Sequence, residues 1–169
     1  MKKALITGIS GQDGSYLAEL LIKNGDEVHG LVLRNEIENT DRALANISGI
    51  VKQIVLHTGS IESYVSLSKI IQEVQPDECY HLAASSFVSY SIDDEYSIFN
   101  TNVMGTHNVL SALQNFAPGC RFYFAGSSEL FGRASKAPQN EETPFHPRSA
   151  YGITKVTGFY LTSNYRENY

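Results

Sequence analysis

A doubly wound parallel α/β sheet is the fold class this sequence predicts, and three observations predict it. Short apolar runs alternate with helical stretches along the whole chain. No hairpin signal joins neighbouring runs, so the strands must be linked by crossovers. A glycine-rich turn with the spacing G-x-x-G-x-x-G stands between the first run and the first helix.

Ala4 to Thr7 reads as a buried strand, and an amphipathic helix is expected from about Ser15 to Asn24. Between them, Gly8 permits the sharp exit from the strand and Gly11 lets backbone approach a pyrophosphate. Gly14 allows close packing of helix on strand. The turn as a whole, Gly8, Ile9, Ser10, Gly11, Gln12, Asp13 and Gly14, offers backbone N–H groups and a helix dipole to an anion.

Asn24-Gly25 stops the helix, and Glu27 to Leu33 (EVHGLVL) reads as the second strand. Arg34 to Ile50 is polar and irregular, with room for one helical turn. Gln53 to His57 is the third strand, and Tyr64 to Val74 a helix closed by Pro76. Glu78 to Leu82 is the fourth strand, running into Ala83, Ala84, Ser85 and Ser86. A long helix follows from Asp94 to Phe116, with Asp93 and Asp94 suited to its N-terminal dipole. Arg121 to Ala125 is the fifth strand, Ser127-Ser128-Glu129 leaves its C-terminal end, and a last helix starts near Ala150. Sheets of this Rossmann type commonly have a sixth strand. The chain stops inside a predicted helix at Asn168-Tyr169. The expectation is therefore one NAD(P)-binding domain over residues 1–169, the N-terminal portion of a longer protein, ending before a substrate domain.

Composition narrows the function. The 169 residues are 42% hydrophobic and 18% charged with a net charge of −5, and no Lys/Arg cluster occurs. That argues against nucleic acid or an anionic membrane as the partner. The apolar run after Met1-Lys2-Lys3 is too short for a signal peptide, and no stretch has the length of a membrane span. Cys79 and Cys120 read as reduced thiols of a cytoplasmic protein. His81 reads as a core histidine. With only Cys79 two residues away it makes no zinc set, and no metal site is expected.

Ligands of open α/β sheets lie beyond the carboxyl ends of the strands. The glycine turn, Arg34, Ala83 to Ser86 and Ser127 to Glu129 all fall there. Tyr151 and Lys155, at i and i+4, share a face of the last helix.

A Gly-rich turn, a strand ending in Ser-Ser-Glu and a Tyr-x-x-x-Lys pair together resemble the extended short-chain dehydrogenase/reductase family. Ile6 to Leu17 (ITGISGQDGSYL), Ser127 to Gly132 (SSELFG) and Thr143 to Lys155 (TPFHPRSAYGITK) narrow the resemblance to its GDP-mannose 4,6-dehydratases. The resemblance implies transient oxidation of GDP-mannose at carbon 4, loss of water across carbons 5 and 6, and hydride return to carbon 6. It implies Tyr151 as the base for the 4-hydroxyl, with Lys155 lowering a phenol pKa that is ordinarily ~10. Ser127 would donate to the sugar oxygen and relay a proton, and Glu129 would take the proton from carbon 5. The cofactor set it implies is the glycine turn, Arg34, Ser60, Ile61, Leu82, Ala83, Ala84, Ser86, Tyr151 and Lys155.

Two positions depart from the family pattern. Paired arginines that bind an NADP 2′-phosphate are reduced here to Leu33-Arg34, and a Gly-Asp-Leu after the third strand becomes Gly59-Ser60-Ile61. With Glu36 assigned to the loop, no acidic residue is expected at the end of the second strand. NADP is thus favoured, with NAD not excluded. The family also implies a homo-oligomer, assembled through the loop from Arg34 to Arg42. Alternatives are a nucleotide-sugar epimerase, disfavoured by the carboxylate at Glu129, another dehydratase of the same fold, and a non-catalytic NAD(P)-binding module. The chain by itself is expected to be inactive.

Overall fold

The computed structural model describes residues 1–39, 43–86 and 94–169. Asp93 and the stretch 40–42 of the expected assembly loop lie outside them. The order is β1 Lys3–Thr7, α1 Gln12–Lys23, β2 Glu27–Val32, α2 Arg34–Glu38, β3 Ile54–Thr58, α3 Tyr64–Val74 and β4 Glu78–His81. Next come α4 Glu95–Phe99, a π-helical turn Asn100–Met104, α5 Gly105–Phe116, β5 Arg121–Phe124 and α6 Ala150–Asn168.

The five strands are parallel in the order β3-β2-β1-β4-β5. This is the predicted doubly wound sheet, and its order reverses at β1, where ligands of such sheets bind. The central strands β1 and β2 are covered on both faces, which is why they read as apolar runs rather than as an alternation, while the edge strands β3 and β5 leave Val55 and Tyr123 exposed. On β1, Leu5 joins Leu67, Ile71, Val74, Cys79 and Val109 under α3 and α5. Its neighbours Ala4 and Ile6 join Ala18, Leu21, Val28 and Val32 under α1.

Most boundaries match expectation within a few residues. The first helix begins earlier, at Gln12 rather than Ser15, with Gly11 as its N-cap. Glycine has no side chain to announce a cap, so the sequence signal was weak there. Helix α3 ends as expected, its C-cap Gln75 taking the left-handed conformation (φ 50°) just before Pro76. The long helix forms, but its middle is π-helical. Asp94 caps it, its Oδ1 accepting from the Ser97 N–H at 3.0 Å. The region after β2, expected as a loop, contains α2 and two 3₁₀ turns, Ala45–Ile47 and Val51–Gln53.

Candidate functional site at the carboxyl ends of the strands

A cleft of about 690 Å³ opens at the carboxyl ends of the strands. That volume is ordinary for a small-molecule or cofactor site. Its floor is the turn between β1 and α1. Gly8 sits at φ +77°, and a Cβ there would lie 2.8 Å from the Ala83 nitrogen. A Cβ on Gly14 would lie 2.3 Å from the Gly8 oxygen and 2.8 Å from Ile9 Cα. Gly11 N–H donates to the Gly8 carbonyl at 3.1 Å, closing the turn. No side chain caps the first turn of α1. Asn46, carried by the first 3₁₀ turn, donates to the Ser10 carbonyl at 2.8 Å and fixes the turn from outside.

One wall is the end of β4. Leu82, Ala83, Ala84, Ser85 and Ser86 line it, and their small side chains leave the space open. Two buried hydrogen-bond relays hold this wall. His81 bonds Thr7 Oγ1 through Nδ1 at 2.8 Å and Thr106 Oγ1 through Nε2 at 3.1 Å. It is the satisfied core histidine expected; burial, and secondarily Lys155, push its pKa down to about 3. Asn102, on the π-helical turn, accepts from the Ser85 N–H at 2.8 Å. It donates to the Ser85 carbonyl and to Thr154 Oγ1, each at 3.1 Å.

The opposite wall is Ala125, Gly126, Tyr151 and Lys155. Lys155 is only 5% exposed, and its Nζ donates to the Ala125 carbonyl at 2.9 Å. That nitrogen lies 5.6 Å from the centre of the Tyr151 ring and 5.1 Å from that of Phe124. Burial lowers the Lys155 pKa to about 8. Ser127 and Glu129 do not line the cleft but stand next to this wall. Ser127 Oγ caps the short 3₁₀ turn Ser128–Leu130 by accepting from the Glu129 N–H at 3.2 Å. Ser149 caps α6, its Oγ accepting from the Gly152 N–H at 3.0 Å and lying 3.5 Å from Glu129 Oε2. Gly152 lets the Glu129 backbone press on this helical turn, since a Cβ there would lie 2.8 Å from the Glu129 oxygen. Glu129 is thus linked to the first turn of α6, which carries Tyr151, and Ser127 joins it through the 3₁₀ turn that it caps.

Of the expected cofactor residues, Gly8, Ser10, Gly11, Gln12, Asp13, Gly14, Ser60, Ile61, Leu82, Ala83, Ala84, Ser86, Tyr151 and Lys155 line the cleft. Ile9 and Arg34 do not. Ile9 is fully buried in the core beneath α1, so only its backbone belongs to the turn. Arg34 points to the surface, its Nε 3.3 Å from Glu38 Oε1 one helical turn on.

The expectation of no acidic residue at the end of the second strand is corrected. The short helix α2 folds Glu36 back into the cleft. Glu36 Oε1 accepts from Ser10 Oγ at 2.5 Å and Oε2 from the Leu33 N–H at 2.6 Å. Glu62 and Thr101, hydrogen-bonded to each other, also line the cleft and were not foreseen. Only its position hinted at this, shortly after an apolar strand and about 20 residues beyond the glycine turn; nothing in the sequence announced the orientation of its side chain.

A glycine cradle that any Cβ would fill, beside an uncapped helix start, fits a dinucleotide pyrophosphate. The cleft lining runs from this turn to Tyr151 and Lys155. Comparison with known proteins agrees. Residues 5–169 match the family model of GDP-mannose 4,6 dehydratase. The chain is 41% identical to the GDP-mannose 4,6-dehydratase of Yersinia enterocolitica, covering 100% of the chain and 47% of that protein. It is 45% identical to the Drosophila melanogaster enzyme and 43% identical to the human one, covering 44% and 46% of those proteins. Among solved structures it resembles the Bordetella bronchiseptica enzyme WbmH in complex with NAD+, at 30% identity and a TM-score of 0.82. That match covers 98% of this chain and 52% of the other. It also resembles the UDP-glucose 4-epimerase of Thermotoga maritima, at 25% identity and a TM-score of 0.86, over 99% of this chain and 52% of that one. The chain spans about half the length of the curated relatives it matches, and it belongs to the GDP-mannose 4,6-dehydratase family.

Proposed function

We propose that residues 1–169 are the cofactor-binding half of a nucleotide-sugar 4,6-dehydratase that converts GDP-mannose to its 4-keto-6-deoxy product. One observation carries the reading: the segment after β5 that holds Ser127 and Glu129 packs on the first turn of α6, next to the cleft wall lined by Tyr151 and the buried Lys155. Oxidised nicotinamide, when bound, supplies a hydride acceptor and later returns the hydride.

The chain's own residues do the acid–base work. Tyr151 takes the proton of the sugar 4-hydroxyl as the carbon 4 hydride leaves. Lys155, one turn further along, is the positive partner of the phenolate form of Tyr151 that accepts this proton and becomes a neutral phenol. Ser127 has a hydroxyl proton left to donate, because its oxygen already serves as an acceptor in its cap. It orients the sugar oxygen. The new ketone acidifies the proton on carbon 5; Glu129 removes it and passes that proton to the carbon 6 hydroxyl, which leaves as water as the carbon 5–carbon 6 double bond forms. Glu129 is what separates dehydration from simple oxidation. Two free thiols, Cys79 buried and Cys120 partly so, fit a reducing, cytoplasmic setting, and self-association into a homo-oligomer belongs to the same reading.

The test is Glu129→Gln in the protein carrying this half together with its substrate half. Reduction of the bound nicotinamide by GDP-mannose persists in a single turnover, while 6-deoxy product formation falls by roughly 10²-fold or more. Product formation at the normal rate would remove Glu129 from this role. The likeness to a UDP-glucose 4-epimerase favours epimerisation as the second reading. Product analysis separates it, since an epimerase returns the hydride to carbon 4 and releases no water.

A further inference from the structure

We infer that Glu36 reads the 2′ position of the adenosine ribose and tunes this cleft toward NAD, against a 2′-phosphorylated cofactor. The inference rests on the dinucleotide reading of the cleft given above. A pyrophosphate held at the β1–α1 turn leaves its adenosine ribose at the end of β2, where an acidic side chain accepts from the ribose hydroxyls and a nearby arginine accommodates a 2′-phosphate.

Both alternatives are on this chain, and the folded geometry separates them. Glu36 is part of the cleft, with one carboxylate oxygen bonded to the hydroxyl of Ser10 in the turn and the other to the Leu33 N–H at the strand end. Each oxygen accepts one protein donor and keeps a lone pair for a ribose hydroxyl. It is half-buried while its neighbours on α2 are exposed. The Arg34 side chain is 86% exposed, paired with Glu38, and outside the cleft. Among the described residues lining the cleft the sole cation is Lys155, on the wall formed by β5 and α6. A 2′-phosphate carries a charge of about −1.5 to −2 near neutral pH. Beside Glu36 it would meet a carboxylate of like sign and displace the Ser10 hydroxyl from its partner. A free 2′-hydroxyl meets an acceptor instead.

The experiment titrates the 169-residue chain with NAD and with NADP, followed by ligand-observed saturation-transfer NMR, which detects weak binding without turnover. The same titrations are run on Glu36→Gln, which keeps an acceptor oxygen but removes the charge, and on Glu36→Ser. The unchanged chain binds NAD at least about tenfold more tightly than NADP, and Glu36→Gln narrows that ratio about tenfold, chiefly by tightening NADP. Glu36→Ser moves the ratio the same way. Equal affinities, a preference for NADP, or a ratio unmoved by both variants overturns the inference and leaves the cleft a dinucleotide site. Binding of neither cofactor by a folded chain overturns both readings together.

Discussion

The two ends of the cleft present helix N-termini in opposite states. At the β1–α1 turn the helix begins at a glycine and no side chain caps it, so its first N–H groups are left for a ligand. At the β5–α6 end, serines close the starts: Ser127 caps the 3₁₀ turn and Ser149 caps α6. The first region presents bare backbone and needs an absence of side chains. The second holds polar side chains in place and needs its backbone satisfied. An open helix start suits charge recognition, and a capped one suits rigid presentation of a phenol and an amine.

Substitutions can break either half of this comparison. The largest effect is expected from Gly14→Ala. Its Cβ would stand 2.3 Å from one backbone atom and 2.8 Å from another, neither of which is the end of a flexible side chain. A loss of stability above about 3 kcal/mol is expected, seen as unfolding at much lower urea concentration. A folded Gly14→Ala chain of ordinary stability would show that the turn has slack.

Next comes Lys155→Met, which addresses the capped end. The lysine's folded pKa, about 8, lies below its ordinary 10.5 because burial disfavours its charge. Between those values the unfolded chain holds the proton and the folded chain does not, so this group's contribution to stability rises with pH across that window. Below about pH 8 the buried charge is a penalty in full. Urea titrations from pH 7 to 10 should therefore show Lys155→Met more stable relative to the unchanged chain at pH 7 than at pH 10, by on the order of 1–3 kcal/mol. The comparison between the two chains cancels the cysteines, whose raised pKa values act in the opposite direction above their ordinary value. A pH-independent difference would mean that Lys155 is better solvated than its burial implies.

The smallest effect is expected at Arg34→Ala. An exposed i,i+4 pair contributes little, so the stability change stays within about 0.5 kcal/mol. NADP affinity should also be unchanged. A marked loss of NADP binding would return Arg34 to the ribose and reverse the assignment of Glu36.

The sheet was legible because buried parallel strands leave continuous apolar runs, and Gly8, Gly11 and Gly14 have spacing with a steric reason behind it. Tyr151 and Lys155 were legible because one helical turn separates them. Glu36 was not, because its orientation depends on a five-residue helix whose residues are mostly exposed and carry no periodic signal. A side chain that folds back through local hydrogen bonds looks, in sequence, like any other polar residue of a loop. Arg34 was misplaced for the same reason in reverse. Ile9 shows a further limit: a motif names positions along the backbone, while the core decides where each side chain goes.

The π-helical turn Asn100–Met104 divides one long helix into two lengths with different azimuths. Downstream, Thr106 and Val109 face the sheet, while Asn102, within the turn, is aimed at the chain after β4 and at α6. An ordinary α-helix advances about 100° per residue, so dropping a single residue here would alter phase far more than length. Asn102 would swing away from both partners although every peptide bond remained intact. Insertions and deletions at this joint therefore act as rotations of the part of the helix that supports the cleft wall after β4, with the glycine turn left in place.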